Sequence, residues 1–372
     1  MTIESINLKN YRCFEDIGIN FHEKLTVIVG DNGSGKTSIL EGAAVSLGTM
    51  FVGLDGRGSI SINKKDARLK AYQMGESQDI QPQYPVEIMA AGGIDGSTIT
   101  WKRSLNGENG STTIKDARAM TDIAKNYQKR LRDGDTSLVL PMIAYYGTGR
   151  LWDYHREKKT DTFKDNTKTN GYIDSLDGTA NIKLMMNWFK KKTIQTMQMS
   201  DGYKSTISLI GDIAYRMAVL NPQLGMDVID ETDGIVLIDE VDLHLHPAWQ
   251  HRILGDLQEI FPKIQFIVTT HAPAVISSAK SENLVILKDY EVVGPGAEIY
   301  GNDVNSILKE IMGVAERNPA IADLFARFYF MLNDGQYDRA EKILDEIDEQ
   351  RDYHDKEAAA DRVKLKLERI QA

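Results

Sequence analysis

A glycine-rich stretch near the start of the chain has the residue types and spacing of a phosphate-binding loop. Residues 30–37 read GDNGSGKT and match G-x-x-x-x-G-K-[ST]. In such a loop the backbone N–H groups curl around a phosphate, the lysine neutralises its charge, and the hydroxyl binds Mg²⁺. The candidate phosphate-binding residues are Gly30, Asn32, Gly33, Ser34, Gly35, Lys36, Thr37 and Ser38.

Two adjacent carboxylates follow a later apolar run, GIVLIDE at residues 234–240. Asp239 is a candidate Mg²⁺ ligand together with Thr37. Glu240 is the candidate general base, which would orient a water for attack on a terminal phosphate. The pair alone is a weak signal, and it gains weight because the phosphate loop precedes it.

Two further stretches have the chemistry to bind an anion. Ser200, Asp201 and Gly202 open a predicted helix, where backbone amides and a hydroxyl can face a phosphate. His271 follows a later predicted strand in TTHAP and can hydrogen-bond a phosphate oxygen or the attacking water. A plain helix cap and a structural histidine are the ordinary alternatives for these two sites.

The elements around these residues predict how they are positioned. Helical periodicity follows the phosphate loop, fills residues 207–220 and resumes from Pro247, so it alternates with buried strands. This alternation predicts an α/β fold with a parallel sheet covered by helices. Residues 56–135 contain the strand-like pieces SISI and STITWKRSL and predict an antiparallel lobe. The predicted buried strands are residues 24–29, 137–146, 234–240 and 264–271.

Composition limits the partners and the compartment. The net charge of -10 argues against a protein coated in nucleic acid, since phosphate backbones are bound by clustered Lys and Arg. Local basic stretches at 156–160, at 189–193 and around Lys125 remain either solvated faces or DNA contacts. The single cysteine, Cys13, and the lack of a long apolar run predict a cytoplasmic protein with no membrane segment.

The order of these motifs resembles that of the ATP-binding cassette ATPases. The chain looks like the branch with the heads of structural-maintenance-of-chromosomes proteins, Rad-type repair heads, RecF and overcoming-lysogenisation-defect nucleases, over roughly residues 1–290. INLKNYRCF also resembles that branch, whose arginine, here Arg12, reaches the nucleotide. The resemblance implies ATP and Mg²⁺ as cofactors.

The same resemblance implies a head-to-head dimer, or a larger assembly of such dimers. Each ATP would be held by the phosphate loop of one subunit and by the signature residues Ser200 and Gly202 of the other. Asp242 and His244 would lie near the dimer seam and couple the two sites, whereas His246 would be a structural cap before Pro247.

Two departures from the family pattern stand out. The signature is Ser-Asp-Gly-Tyr rather than Ser-Gly-Gly-Gln or Glu, and no Gln-loop is evident. Gly147, Thr148 or Arg150 would stand in for that loop. Only about fifty residues separate Arg150 from Ser200, too few for a long coiled coil, so we expect a compact head.

LPMIAYYGTGRLW and residues 299–314 resemble the ATPase subunit of Septu and retron-associated anti-phage systems, which work with a separate HNH nuclease. We therefore expect an ATPase head at residues 1–300 and a helical protein-interaction region at 301–372. Within the head, 1–150 would form the phosphate-loop and β lobe, 151–200 a loop or helical insert, and 201–300 the lobe with the signature, the acidic strand and the switch histidine.

The helical region has one apolar face that another surface must cover, whether the head, another subunit or a nuclease. A helical cap over the ATPase core is the alternative. This face contains Ile321, Leu324, Phe325, Phe328, Met331 and Leu332, against which Ile343, Leu344 and Ile347 could pack.

Two functions remain open. In one, ATP gates a regulatory scaffold that controls an HNH nuclease. In the other, a RecF-like ATPase of repair clamps DNA. DNA, or reverse-transcribed DNA and RNA, is a candidate partner in both. A small-molecule P-loop kinase does not account for the signature and the switch histidine.

Overall fold

The computed structural model describes residues 1–74, 77–151, 167–178, 201–294, 319–349 and 356–371. The chain forms two compact units, Met1–Ile307 and Leu308–Ala372. Among the described helices, none combines the length and the apolar character that crossing a membrane requires.

A six-stranded sheet forms the centre of the first unit, in the order β12-β11-β3-β10-β9-β8. Four of its five neighbouring strand pairs are parallel, and the pair of β11 with β12 is antiparallel. The strands β3, β9 and β10 are buried along their whole length, as a parallel sheet covered on both faces requires. The predicted parallel sheet is confirmed. Its strands are β3 (Leu25–Gly30), β8 (Met142–Tyr146), β9 (Gly234–Ile238), β10 (Ile264–Thr270), β11 (Leu284–Lys288) and β12 (Glu291–Val293).

Helices connect and cover these strands. The helix predicted to open at Pro247 is two short helices, interrupted at His251 and Arg252. His246 caps the first of them, because its Nδ1 accepts the Ala248 N–H at 3.3 Å. The helices of this unit are α1 (Lys36–Leu47), α2 (Arg118–Arg132), α3 (Asp201–Leu220), α4 (Val228–Glu231), α5 (Pro247–Gln250), α6 (Ile253–Ile260) and α7 (Pro273–Ser278).

The antiparallel lobe contains a four-stranded sheet in the order β2-β1-β6-β7. The predicted antiparallel lobe is confirmed, and two of the four strands in this sheet come from the N-terminal residues rather than from 56–135. The segment Ser59–Ile62 was also predicted as a strand, yet it lies outside every strand, with Ser59 Oγ donating to Gly48 O at 2.8 Å. The strands are β1 (Ser5–Tyr11), β2 (Phe14–Asn20), β6 (Val86–Ile94) and β7 (Ser97–Leu105).

Strand β7 holds the C-terminal end of α1. Trp101 Nε1 donates to Ser46 O at 3.1 Å, and Arg103 Nη1 donates to Val45 O at 3.2 Å. These carbonyls belong to the last turn of α1, and β7 supplies side-chain donors to them. The lobe therefore fixes the far end of the helix that begins at the phosphate loop.

A separate hairpin extends from the lobe. It consists of β4 (Leu69–Met74) and β5 (Ser77–Pro82), which pair with each other in a two-stranded sheet. Its large apolar side chains are exposed, in contrast with the buried strands of the other sheets. They are Leu69, Tyr72, Met74 and Ile80.

The second unit is a group of three described helices with its own core. The helices are α8 (Pro319–Asn333), α9 (Tyr337–Glu349) and α10 (Lys356–Gln371). The predicted apolar face of α8 packs in one cluster with residues of α9 and α10, so these helices cover it. The expected packing of Ile343, Leu344 and Ile347 against α8 is present, and a role of this region in binding another protein stays a prediction. The cluster contains Ile321, Leu324, Phe325, Phe328, Leu332, Ile343, Leu344 and Ile347, with Met331 partly buried beside it.

Candidate functional site

The phosphate loop connects β3 to α1 through two left-handed glycines. Gly33 has φ +85° and Gly35 has φ +98°, a region that side chains other than glycine rarely adopt. A Cβ at Gly35 would also lie 2.3 Å from Phe14 Cζ and 2.8 Å from Cys13 Sγ. The loop therefore requires glycine at position 35 for both its backbone angle and its packing.

The first glycine of the loop packs against the neighbouring strand. A Cβ at Gly30 would lie 2.7 Å from Leu287 O in β11 and 2.7 Å from Ser34 Oγ. At the other end of the loop, no side chain caps the N-terminus of α1 at Gly35. The N–H groups of its first turn are therefore left for another acceptor, and the helix dipole favours an anion there.

Lys36 lies almost buried inside the loop, with 8% of its surface exposed. Its Nζ donates to Gly30 O at 2.6 Å and to Asp31 O at 2.9 Å. Burial lowers the pKa of Lys36, and the carboxylates of Asp239 and Glu240 act in the opposite direction. The loop thus holds a positive charge at the point where the sequence predicts the phosphates.

The acidic end of β9 faces the phosphate loop. The Thr37 hydroxyl donates to Asp239 Oδ2 at 2.8 Å, and the Thr269 hydroxyl donates to Asp239 Oδ1 at 2.6 Å. Asp239 is only 1% exposed, so hydroxyls from two sides fix both of its oxygens. The structure brings Thr37 and Asp239 together as predicted for a metal site, and hard oxygen ligands of this kind suit Mg²⁺.

Glu240 has a strained backbone, with φ +47°. Its N–H donates to Thr269 Oγ1 at 2.8 Å, so one threonine hydroxyl orients both residues of the acidic pair. Sequence reasoning assigned no role to Thr269. The available signal was a threonine pair at the end of a strand whose other residues are apolar except Gln265, directly beside the strand that leads to Asp239.

Asp242 and His271 lie close together at the end of β10. Asp242 is buried, its Oδ1 accepts a hydrogen bond from the Thr270 hydroxyl, and its Oδ2 lies 3.9 Å from His271 Nδ1. The side chain of His271 is half exposed. The carboxylate of Asp242 contacts Thr270 and His271, and the expected position of Asp242 and His244 near a dimer seam stays a prediction. His244 is exposed and has φ +62°.

Arg12 lies beside α1, where two carboxylates hold its guanidinium. Its Nε donates to Asp66 Oδ1 at 3.1 Å, and it forms an ion pair with Glu41 of α1. A contact between Arg12 and a nucleotide stays a prediction.

The signature is only partly within the described residues. Ser200 lies outside them, as do the basic stretches 156–160 and 189–193, and Asp201 and Gly202 begin α3 without described side chains. After β8, the Gly147 N–H donates to Gly178 O at 3.1 Å. Thr148 and Arg150 belong to a short 3₁₀ turn, Thr148–Leu151, that follows β8. Which of these residues replaces a Gln-loop stays a prediction.

An unsatisfied hydroxyl supports the fit of a triphosphate and Mg²⁺. Ser34 Oγ is buried in the phosphate loop and has no hydrogen-bond partner among the described residues. Buried hydroxyls normally have a partner, and a phosphate oxygen would provide one. Together with Lys36, Thr37 and Asp239, the loop offers donors for phosphate oxygens and oxygen ligands for the metal.

Comparisons with known proteins agree with this arrangement. The sequence model of a family described as AAA domain matches residues 5–201, and a second AAA-domain model matches residues 145–277. The chain is 23% identical to "Retron Vc95 probable ATPase" of Vibrio cholerae serotype O1 biovar El Tor, over 90% of this chain and 84% of the relative. It is 27% identical to "Retron Ec83 probable ATPase" of Escherichia coli, over 86% and 77%. "Septu protein PtuA" of Bacillus thuringiensis is 25% identical over 94% and 91%.

These relatives confirm the resemblance to retron-associated and Septu ATPases that the sequence predicts. Among solved structures, the head domain of the structural-maintenance-of-chromosomes protein from Thermotoga maritima is 17% identical, with a TM-score of 0.40 over 80% of this chain and 100% of that chain.

Proposed function

This chain belongs to the AAA domain family, and from that premise we propose that it binds ATP with Mg²⁺ and hydrolyses it to ADP and phosphate. The observation that carries the proposal is the hydroxyl pair around Asp239, with Thr37 of the phosphate loop on one oxygen and Thr269 on the other. This pair joins the predicted phosphate loop to the predicted acidic strand at one edge of the sheet.

In this proposal, different residues of the chain bind the phosphates, hold the metal and activate the water. Lys36 and the N–H groups at the start of α1 bind the phosphates, and Thr37 and Asp239 hold the metal. Bound Mg²⁺ would neutralise charge on the phosphate oxygens. The catalytic residues are Lys36, Glu240 and His271. Glu240 orients a water and accepts its proton, while His271 hydrogen-bonds the terminal phosphate or that water.

We propose that two copies complete each site. Ser200 and Gly202 would bind the terminal phosphate held by the partner, in the way the family resemblance implies, and Gly202 lies in the first turn of α3. Hydrogen-bond donors at a helix N-terminus suit that role. A single subunit would then hydrolyse ATP poorly.

The function we propose for this ATPase is control of a separate HNH nuclease in an anti-phage defence complex. ATP closes the dimer and keeps the nuclease quiet, and loss of ATP or recognition of phage DNA releases it. The support is the similarity to the retron and Septu proteins over most of the chain.

A second candidate, a DNA-acting ATPase, is favoured by one surface. The exposed side of α2 carries Arg118, Lys125, Lys129 and Arg132 at helical spacing on a chain of net charge -10. Ion pairs already engage Lys125 with Asp122 and Arg132 with Asp55, which reduces the free positive charge. Charge reversal at Lys125 and Lys129 tests this candidate, which requires salt-sensitive DNA binding that the reversal abolishes.

The proposed function is tested by Glu240→Gln, with Glu259→Gln on the exposed side of α6 as the matched control. We expect Glu240→Gln to bind ATP, to sediment as a dimer with ATP and Mg²⁺, and to hydrolyse ATP about 100-fold more slowly. Glu259→Gln should match the wild type. Normal turnover by Glu240→Gln would rule out its assignment as the base.

Regulation of a nuclease needs its own experiment. The genes next to this one are sequenced for an HNH nuclease, which is co-expressed with the chain, and DNA cleavage by the purified complex is measured with and without ATP. Cleavage that rises when ATP is removed supports the proposal. A nuclease that does not co-purify, or that ignores ATP, contradicts it.

A further inference from the structure

A fully buried ion pair lies in the middle of α3. Asp212 and Arg216 are one helical turn apart, with Arg216 Nε 2.6 Å from Asp212 Oδ2, and each residue is at most 2% exposed. Removing two charges from water is expensive unless their geometry is well satisfied. A residue that hydrogen-bonds this pair can therefore hold α3 in position.

Tyr146, the last residue of β8, makes that contact. Its hydroxyl donates to Asp212 Oδ2 at 2.8 Å, and its backbone carbonyl accepts the N–H of Asp239 at 2.8 Å. One residue thus bonds the candidate metal ligand through its main chain and α3 through its side chain.

Arg216 extends the network to a segment along the edge of the sheet. Its Nη1 donates to Gly171 O at 3.0 Å and to Ile173 O at 2.7 Å. The same segment accepts the Tyr145 N–H at Ser175 O, 2.7 Å away. β8 is therefore joined to α3 both directly, through Tyr146, and through this segment.

The length of α3 connects the Tyr146–Asp212 hydrogen bond to the N-terminal end of the helix. The helix runs without interruption from Asp201 to Leu220, and Asp212 lies about 16 Å along the axis from Asp201 at the usual helical rise. A small change in the direction of α3 at Asp212 moves its first turn. That turn contains the signature residues Asp201 and Gly202.

We propose that Tyr146 is a positioning residue, which sets the direction of α3 through Asp212 and so places Asp201 and Gly202 for contact with the partner subunit's nucleotide. This inference rests on the proposed ATP-dependent dimer. It assigns Tyr146 no contact with the nucleotide of its own subunit. Tyr146→Phe should therefore weaken dimer closure without weakening nucleotide binding.

The substitution is selective, because Arg216 still pairs with Asp212 when the tyrosine hydroxyl is removed. What is lost is the bond between β8 and α3. Tyr172 provides a matched control, since it is also buried and its hydroxyl donates to Pro141 O at 2.6 Å, a bond that does not involve α3. Tyr172→Phe therefore removes one buried hydroxyl hydrogen bond and leaves the Tyr146–Asp212 link intact.

The experiment places Tyr146→Phe and Tyr172→Phe separately in the Glu240→Gln background. Dimer dissociation with ATP and Mg²⁺ is measured by sedimentation, nucleotide affinity by fluorescent ATP at concentrations below dimerisation, and stability by urea unfolding. We expect Tyr146→Phe to weaken the dimer about tenfold, the size expected for one hydrogen bond, with ATP affinity within about twofold. Tyr172→Phe should dimerise like its parent.

Equal dimer affinity in Tyr146→Phe and its parent would overturn the proposal. So would an equal weakening by Tyr172→Phe, which would mean that any lost buried hydrogen bond has this effect. If the Glu240→Gln parent itself stays monomeric with ATP, the proposed dimer fails first, and the positioning role fails with it.

Discussion

The hydroxyl of Thr269 lies 2.6 Å from Oδ1 of Asp239, to which it donates a hydrogen bond, and its oxygen accepts the N–H of Glu240. The predicted metal ligand and the predicted general base are thus oriented by one atom on the next strand. Thr269 therefore orients both the group proposed to bind the metal and the group proposed to activate the water.

Thr269→Val keeps the shape of the side chain and removes this hydroxyl. We expect ATP turnover to fall about tenfold to 100-fold, because Asp239 loses a donor and Glu240 loses its backbone acceptor. The measurement is steady-state phosphate release. Thr26→Val is the control, since Thr26 is a buried threonine of β3 whose hydroxyl accepts the His22 N–H away from the site. Equal rates in the two variants would contradict the role of Thr269.

Lys36→Ala should abolish ATP binding. The lysine is the buried cation of the phosphate loop, and without it the phosphate charge is not neutralised, so we expect a loss of about 100-fold or more in affinity by calorimetry. Lys24→Ala is the control, because its Nζ donates to Pro262 O outside the loop. ATP binding by Lys36→Ala at normal affinity would remove the loop from the proposed site.

Arg103→Met should lower the free energy of unfolding by about 2–4 kcal/mol, because it removes the side-chain donor of Val45 O at the end of α1 and of Ile60 O. Burial lowers the pKa of Arg103 to about 10. The cost of removing this charge from water therefore offsets part of the stabilisation from its hydrogen bonds. Lys102→Met is the control, since Lys102 pairs with Glu87 near the surface, and it should cost at most about 1 kcal/mol. Urea unfolding measures both, and equal values would disprove the capping role.

The Cys13 thiol should react slowly with iodoacetamide, and faster as the pH rises. Burial raises the pKa of Cys13, so less of it is the nucleophilic thiolate at pH 8 than in the unfolded chain. We expect a rate at least about tenfold below that of the same chain in urea. Because Cys13 Sγ packs against Gly35, alkylation should also weaken ATP binding. Intact mass and calorimetry report the two effects, and full ATP affinity after complete alkylation would contradict the packing.

Phe328→Ala should destabilise the C-terminal unit by about 3–5 kcal/mol, since it removes a fully buried ring from a small core. ATP affinity should stay within about twofold, because the unit has its own core. Phe330→Ala is the control on the same helix, because Phe330 is 66% exposed. Hydrogen exchange of the peptides from 319–349 reports the difference. No difference between the two variants would mean that this core does not hold the unit together.

Much of the central sheet was predictable because buried parallel strands read as continuous apolar runs. The strand STITWKRSL coincides with β7, and the phosphate loop and acidic pair meet at one edge because parallel strands end together. The site residues Lys36, Thr37 and Asp239 follow from spacing alone, since local motifs specify them.

Other features depend on long-range contacts that no local pattern encodes. β1 pairs in the lobe with β6, more than seventy residues later in the chain, and Thr269 acquires its role only when β10 lies beside β9. Ser59–Ile62 alternates like a strand but lies outside every strand. Ile60 O accepts a hydrogen bond from Arg103 Nη1, and Ser59 Oγ donates one to Gly48 O. The packing of α9 against the apolar face of α8 was predictable from helical spacing, whereas the contribution of α10 to the same core was not evident in the sequence.

The order of the strands also constrains how the chain is made. β3, which leads into the phosphate loop, lies between β10 and β11, and both are encoded near the far end of the first unit. When the phosphate loop emerges from the ribosome, neither β10 nor β11, the two neighbours of β3, has yet been synthesised. Thr269 and the acidic residues of β9 also emerge late. We therefore expect incomplete translation products not to hydrolyse ATP, because the sheet that positions the proposed site is not yet assembled in them.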